Sequence, residues 1–276
     1  MSENSLQQNS SRFISLDIIK LISAFMIVFY HLDGYLRLGS FMNGSYNIST
    51  SQIIMSLCSC SVPLFFMVNG ALLLNKEYTT EKIYIKAAKV ALIIIVWKIV
   101  AFPDWFMRTL IILFLLYPIL NKLDKAKNKI WRNLVMLVLF IFPFLYNLVM
   151  IFWQCWFPDF SVVFLGKTLS LETLPLKSGF YTLYSILYFL LGGIMFRKKL
   201  NNILSAISLL AGWGLVVFDV ISSSNYTGKI QDAANTCFPT IGAMLISIGI
   251  FNLFRNFDKV KSKKFRSVVS KLGQYV

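Results

Sequence analysis

The first apolar segment of the chain is Ile14–Leu32, which reads ISLDIIKLISAFMIVFYHL. It is long enough to cross the hydrocarbon core of a bilayer as an α-helix, a core roughly 30 Å thick. No small-residue cleavage site follows it, so we interpret it as a retained signal-anchor helix. Asp17, Lys20 and His31 lie inside it. The segment therefore predicts a membrane helix that carries ionisable side chains.

The composition of the whole chain agrees with this interpretation. Of the 276 residues, 57% are hydrophobic and 14% are charged, whereas soluble domains carry about 25% charged residues. The composition excludes a soluble enzyme, a disordered chain, a coiled coil and a collagen. The predicted fold class is all-α: a polytopic transmembrane helical bundle that forms a single membrane-embedded domain over residues 1–276.

About eight membrane spans are predicted, and all are helices because an isolated strand cannot satisfy its backbone polar groups in lipid. They are Ile14–Leu32, Ile53–Leu74, Ala87–Phe102, Trp105–Leu120, Leu134–Phe152, Tyr181–Phe196, Ile203–Ile221 and Phe238–Phe254. The third and fourth meet at Pro103 and Asp104 with almost no loop. One broken helix, and hence seven spans, is the alternative there.

The distribution of basic residues orients the bundle. The net charge is +15, and no nucleic-acid-binding motif accompanies it. With eight spans and a cytoplasmic N-terminus, 20 of the 27 lysines and arginines fall inside and 5 outside, as the positive-inside rule requires. If the third and fourth spans were one helix, the basic segments that flank them would lie on opposite sides of the membrane. Both termini are therefore predicted to be cytoplasmic, in a multi-pass protein of the cell (plasma or inner) membrane.

Two tails flank the predicted bundle. Residues 1–11 form a polar N-terminal tail, and residues 255–276 form a basic cytoplasmic tail that is mildly amphipathic. We interpret the second as a surface helix against anionic lipid. The four cysteines (Cys58, Cys60, Cys155 and Cys237) are interpreted as membrane-core or interfacial thiols, because they lack the spacing of a zinc site.

The ionisable side chains of the first segment share one side of the predicted helix. At about 100° per residue, Lys20 and His31 are separated by three full turns and about 20°, and by a rise of about 16 Å. Asp17 is one turn from Lys20. One reading is a lined path with an imidazole base at its outer end. The other is that Lys20 snorkels to the inner headgroups and His31 lies at the outer interface.

The second segment, SCSVPLFFMVNGALL over residues 59–73, carries polar and small residues inside a span. Ser61 and Pro63 can bend a helix around a cavity. Close packing through small residues is the alternative reading of Asn69 and Gly70. The spacing alone favours close packing.

These two segments resemble acyltransferase family 3, the bacterial integral-membrane O-acyltransferases that modify surface polysaccharides. The family's first helix has a basic residue, ten residues and a histidine, which Lys20 and His31 fit, with Lys where many members have Arg. The run over residues 61–73 is similar to the second-helix motif, with Asn69 where Ser is usual. Further similarities are Arg12, WF at 105–106 with YPIL at 117–120, YFLLGG at 188–193 and KLGQY at 271–275.

The resemblance implies transfer of an acyl group, usually acetyl from acetyl-CoA, to a carbohydrate hydroxyl. His31 would be the base or acyl relay, Lys20 would engage the donor or support His31, and Asp17 would orient Lys20. The implied substrate-binding residues are Arg12, Ser61, Asn69 and Trp105. An acyl-CoA donor, a cell-envelope carbohydrate acceptor and membrane lipids are the expected partners. Neither a metal nor a nucleic acid is expected.

Three further points remain open at this stage. Lys82, Lys86 and Lys89 could draw the donor phosphates, although such lysines more often only determine topology. A glycan or lipid-precursor transporter or flippase would also bury charges along a path. Family members usually have a further span after the element that Leu272 and Gly273 match, so a truncated, inactive member is the third alternative.

Overall fold

A computed structural model describes residues 13–32, 39–98, 105–141, 144, 161–164, 167–170, 176–231, 240–255 and 262–273. Its helices are α1 Ile14–Leu32, α2 Thr50–Met55, α3 Ser61–Leu74, α4 Thr80–Lys98, α5 Trp105–Lys125, α6 Lys129–Phe140, α7 Leu176–Arg197, α8 Asn202–Thr227, α9 Ile241–Phe254 and α10 Lys263–Leu272. A 3₁₀ helix, Ser56–Cys60, joins α2 to α3. The predicted helical membrane bundle is confirmed.

Two short antiparallel hairpins accompany the helices and were not predicted. Strands β1 (Gly39–Met42) and β2 (Ser45–Ile48) form the first, and β3 (Ser161–Phe164) and β4 (Lys167–Ser170) form the second. Each hairpin has four residues per strand. They are small additions to a helical bundle, and the all-α fold class is confirmed.

Each of the eight predicted spans overlaps a described helix, although the end of Ala87–Phe102 and much of Leu134–Phe152 lie outside the described residues. Helix α1 has the predicted bounds, and the second span divides into α2, the 3₁₀ helix and α3. Helices α4 and α5 pack against each other, as a hairpin of two spans requires. Within the described residues, four segments are long and apolar enough to cross a membrane: Ile14–His31, Thr50–Leu74, Phe106–Lys125 and Asn202–Thr227. The count of eight spans and the side of each terminus stay predictions.

The centre of the bundle is a backbone-to-backbone seam between α3 and α7. A Cβ atom added to Gly70 would lie 1.8 Å from the Phe189 carbonyl oxygen, and one added to Gly192 would lie 2.0 Å from the Met67 carbonyl oxygen. The large side chains around the seam, such as Phe66, are fully buried. The small residues of the second segment thus serve close helix packing.

A second close pair is formed by α8 and α9. A Cβ atom on Gly212 would lie 2.6 Å from the Gly242 carbonyl oxygen, and one on Gly249 would lie 2.6 Å from the Ser205 carbonyl oxygen. The Ser208 hydroxyl donates to the Leu245 carbonyl at 2.8 Å. Small residues on both helices therefore let the backbones approach.

A hydrogen-bond network ties the first hairpin to α8. The Tyr46 amide donates to Asn225 Oδ1 at 2.6 Å, and the Tyr46 hydroxyl donates to the carboxamide oxygen of Gln52. Gln52 Nε2 donates in turn to the Gln231 carbonyl at 2.6 Å. Burial raises the pKa of Tyr46, a residue outside the spans. The hairpin is thereby anchored to the end of α8.

An ionic cluster joins the ends of α3, α5 and α7. Arg197 donates from Nη2 to Asp124 Oδ1 at 2.6 Å and from Nη1 to Asn75 Oδ1 at 2.9 Å. Arg132 Nη1 lies 3.8 Å from the same Asp124 oxygen. Asn75 also donates to the Ala71 carbonyl at 2.9 Å. The buried Asp124 carboxylate therefore has two cationic partners.

Candidate functional site

Helix α1 carries the predicted site residues at increasing exposure along its length. Asp17, in the first turn, is only 4% exposed. Lys20 is half-buried and His31, in the last turn, is exposed. Because the helix is continuous, the spacing of Lys20 and His31 keeps both on one side, with a rise of about 16 Å between them. The His31 ring also contacts the Tyr30 ring, at 5.1 Å between centroids.

A different side of α1 borders an apolar groove of 410 Å³. Its lining contains no Asp, Glu, Lys, Arg or His and consists of Leu21, Ile22, Phe25, Met26, Phe29, Ile54, Leu57 and Cys58. Helical spacing turns the centre of this groove well away from His31. The polar and apolar faces of α1 are therefore separate.

Asp17 lies against the end of the chain's last described helix. A Cβ atom built on Gly273 would be 2.9 Å from Asp17 Cβ, Cγ and Oδ1. Gly273, which follows α10, belongs to the KLGQY element that resembles a late landmark of the family. The structure thus brings together two motif residues that are far apart in the sequence.

Lys20 and Lys76 both lie close enough to Lys86 for their charges to act on it. Lys86 has a lowered pKa, first because of burial and then because the charges of Lys20 and Lys76 repel its own. The Lys86 ammonium lies 4.5 Å from the centroid of the Tyr78 ring, within cation–π range. Lys76 lies 5.6 Å from the Phe13 ring centroid. We call Lys20, Lys76 and Lys86 the lysine cluster.

Of the three lysines considered as phosphate ligands, Lys82, Lys86 and Lys89, only Lys86 belongs to this cluster. Lys82 and Lys89 are exposed on α4. The other members of the cluster are Lys20 and Lys76, which lies at the start of the loop between α3 and α4. Sequence reasoning missed Lys76 because nothing in its local pattern distinguishes it from a topology-determining lysine.

The predicted substrate-binding residues occupy different environments. Ser61 is buried at the start of α3. Asn69 is half-buried, and its Nδ2 donates to the Phe65 carbonyl at 2.9 Å. Arg12 lies outside the described residues, and so does the side chain of Trp105, the first residue of α5. Their substrate-binding roles stay predictions.

Phe106, the neighbour of Trp105, joins the WF element to the second-segment motif. The Phe106 ring lies 5.4 Å from the Phe65 ring and 5.3 Å from the Phe66 ring. Both partners belong to the second-segment motif. The WF element therefore packs against α3.

A buried carboxylate in α8 was not predicted as a site residue. Asp219 is buried, and the Ser223 hydroxyl donates to its Oδ1 at 3.1 Å. It falls inside the predicted span Ile203–Ile221, where an ionisable residue is a functional candidate by default. That signal was present in the sequence and was overlooked.

The cysteines that can be assessed fit the predicted thiols. Cys58 and Cys60 are buried and not joined in a disulfide, whereas Cys155 and Cys237 lie outside the described residues. Among the residues that the structure describes, no three metal-type ligands come together. The expected absence of a metal stays a prediction.

Comparison with known proteins gives one family. Residues 13–104 match the model of the acyltransferase 3 family, described as an acyltransferase domain. The resemblance to acyltransferase family 3 is confirmed. No curated protein and no solved structure matches the chain.

The matched range covers the three predicted catalytic residues. Asp17, Lys20 and His31 lie inside it, as does the α3 motif, whereas Arg12 and Trp105 fall one residue beyond either limit. The match supports a membrane acyltransferase in general.

Proposed function

We propose that this protein is a membrane-bound O-acyltransferase of the cell membrane. It transfers an acetyl group from acetyl-CoA to a hydroxyl of a cell-envelope carbohydrate. The observation that carries the proposal is the polar side of α1. There a buried carboxylate, a half-buried ammonium and an exposed imidazole follow one another within the matched range.

His31 supplies the base. A neutral imidazole accepts the proton of the sugar hydroxyl while the hydroxyl oxygen attacks the thioester carbonyl carbon. The carbon–sulfur bond then breaks, and the departing thiolate takes a proton from the imidazolium. If His31 instead acts as an acyl relay, its ring nitrogen carries the acetyl group from sulfur to the sugar oxygen. Both routes require the imidazole to be accessible, as an exposed His31 is.

The lysine cluster supplies the donor site. Phosphates are bound in proteins by basic side chains through charge-assisted hydrogen bonds. The charges of Lys20 and Lys76 act on Lys86, whose ammonium lies over the Tyr78 ring. Their mutual repulsion would be relieved by an anion. A donor held there by its phosphates would extend its acyl-bearing arm along α1 toward His31.

The decisive experiment replaces His31 by alanine and measures acetylation of envelope glycans by mass spectrometry. We expect the acetyl mass to disappear from the glycan while the protein is still inserted in the membrane. His31→Gln, which keeps the size and polarity of the side chain but not its basicity, should give the same loss.

Phe25→Leu is the matched control on the same helix. Phe25 lies on the apolar groove rather than beside His31, so this variant should acetylate normally. Membrane levels of all three variants are compared by immunoblot. Full acetylation with His31→Ala would remove the enzymatic assignment and return the transporter alternative to first place.

A further inference from the structure

Helix α10 is amphipathic and only one edge of it is docked. Val269 is 7% exposed and packs with Ile14 and Ile18 of α1. On the same side of α10, Phe265, Val268 and Leu272 are 39%, 49% and 51% exposed. At 100° per residue these four side chains fall within an arc of about 100°. The protein thus covers only part of the apolar face.

The remainder of α10 is basic. It carries Lys263, Lys264, Arg266 and Lys271 and no acidic residue. Helices that combine an exposed apolar stripe with lysine and arginine lie in the interface of anionic bilayers. Because α10 docks on α1, a candidate membrane span, such an interface is within its reach.

We propose that α10 rests on an anionic bilayer surface through Phe265, Val268 and Leu272, and that its C-terminal end holds Asp17 in place through Gly273. The occupant of the open apolar face is lipid. Its headgroups carry the charge that the basic face complements. The lipid contact is independent of the proposed acyl transfer, whereas the consequence for Asp17 as a positioning residue rests on it.

The packing of Gly273 against Asp17 explains how a change in the lipid contact of α10 would affect the candidate site. Gly273 approaches the Asp17 side chain too closely to accept a Cβ atom. The amide of Gly273 also donates to the Val269 carbonyl at 2.8 Å, so this end of α10 is ordered by the residue that docks on α1. Lifting α10 from the bilayer would loosen both contacts together.

The lipid contact is tested by hydrogen–deuterium exchange of the full chain in nanodiscs of phosphatidylcholine alone or with phosphatidylglycerol. The peptide that contains α10 should exchange about tenfold more slowly in the anionic discs, since each lysine near such a surface contributes about 1 kcal/mol. Lys264→Glu with Lys271→Glu should abolish the difference. Phe265→Ser with Val268→Ser and Leu272→Ser should raise exchange in both discs, and Ser267→Asn, on the polar face, should change neither.

Three results would overturn the lipid contact. They are equal exchange in the two discs, a difference that survives the charge reversal, and protection that appears only when a disc holds two copies of the chain. The last result would identify a second copy as the occupant. None of these measurements requires enzymatic activity, so their failure is distinct from failure of the acyltransferase proposal.

The seat of Asp17 is tested with Gly273→Ala, with Gly214→Ala as the control because a Cβ atom there meets nothing within 4 Å. Gly273→Ala should speed exchange of α10 about tenfold and reduce kcat for acetyl transfer, and Gly214→Ala should do neither. Faster exchange with unchanged kcat would overturn the positioning role. Absence of acetyl transfer in the unaltered protein would instead refute the proposed function.

Discussion

The seam between α3 and α7 and the polar side of α1 are built in opposite ways. At the seam, glycines bring backbones into contact, and the neighbouring aromatic rings are fully buried. Along α1, exposure rises from Asp17 through Lys20 to His31. Both regions carry residues of the family resemblance.

The comparison divides the motif residues into glycines that permit close packing and residues with ionisable side chains. Gly70 and Gly192 have no functional group, and their value lies in the space that they leave free. Asp17, Lys20 and His31 are costly to place in a membrane helix, which supports the proposal that they act chemically. Substitutions at the seam should therefore change stability, and substitutions on the polar side of α1 should change activity at nearly constant stability.

The largest effect is expected from Gly70→Ala and Gly192→Ala. Each added methyl group would collide with a carbonyl oxygen of the facing helix, at 1.8 Å and 2.0 Å respectively. Backbone atoms cannot move aside as a side chain can, so we expect each change to cost about 3 kcal/mol. Thermal unfolding of the purified protein in detergent measures this loss.

Gly214→Ala is the matched control for the seam variants. Gly214 lies in α8 with open space around its Cα atom, and alanine is the better helix former. Its unfolding temperature should stay the same or rise slightly. If all three variants unfolded alike, the seam would not be the backbone contact described above.

A smaller loss of stability is expected from Asp124→Asn. The Asp124 side chain is 1% exposed and bonds Arg197, whose side chain is 38% exposed. Breaking a fully buried pair costs 3–5 kcal/mol, and partial exposure of the arginine reduces our expectation to about 2 kcal/mol. Thermal unfolding of this variant is compared with that of Lys122→Met, an exposed change on the same helix.

The double variant Asp124→Asn with Arg197→Met sharpens this test. Removing both members of the pair removes the arginine that lies closest to Asp124 and leaves only Arg132, 3.8 Å from the same oxygen, without its carboxylate partner, so part of the lost stability should return. Strictly additive losses would show that Asp124 and Arg197 do not stabilise each other.

The positions of the helices could be predicted from the sequence because membrane spans follow local rules. Length and apolar composition located Ile14–Leu32 with the observed bounds, and the basic segments separated α4 from α5. Whether such a helix forms depends only on its own backbone hydrogen bonds and on the transfer of its side chains into lipid. The 3₁₀ helix Ser56–Cys60 and the two hairpins depend on tertiary contacts, such as that of Tyr46 with Asn225, and were missed.

The candidate site was predictable only in part, because some of its residues come from one helix and others from distant parts of the chain. Asp17, Lys20 and His31 share one helix, so helical spacing places them on one side without knowledge of the fold. Lys76 and Gly273 reach the site from other elements, which only the folded chain reveals. The overlooked Asp219 differs from these, since a carboxylate inside an apolar run is visible in the sequence.

The smallest effect concerns the lysine cluster and is a pH dependence. The pKa of Lys86 is lowered by burial and by the charges of Lys20 and Lys76, so its ammonium loses its proton at a lower pH than an ordinary lysine. As the pH rises through that lowered pKa, the cluster loses one positive charge and binds phosphate less tightly. The KM for acetyl-CoA should then rise while kcat stays constant.

Lys86→Met should raise KM about tenfold at neutral pH, because a charge-assisted hydrogen bond contributes about 1.5–3 kcal/mol. Lys86→Arg should hold KM flat across the alkaline range, and Lys89→Met, on the exposed face of α4, should behave as the unaltered protein does. An alkaline rise in KM that persists in Lys86→Arg would place the titrating group elsewhere and separate the lysine cluster from donor binding.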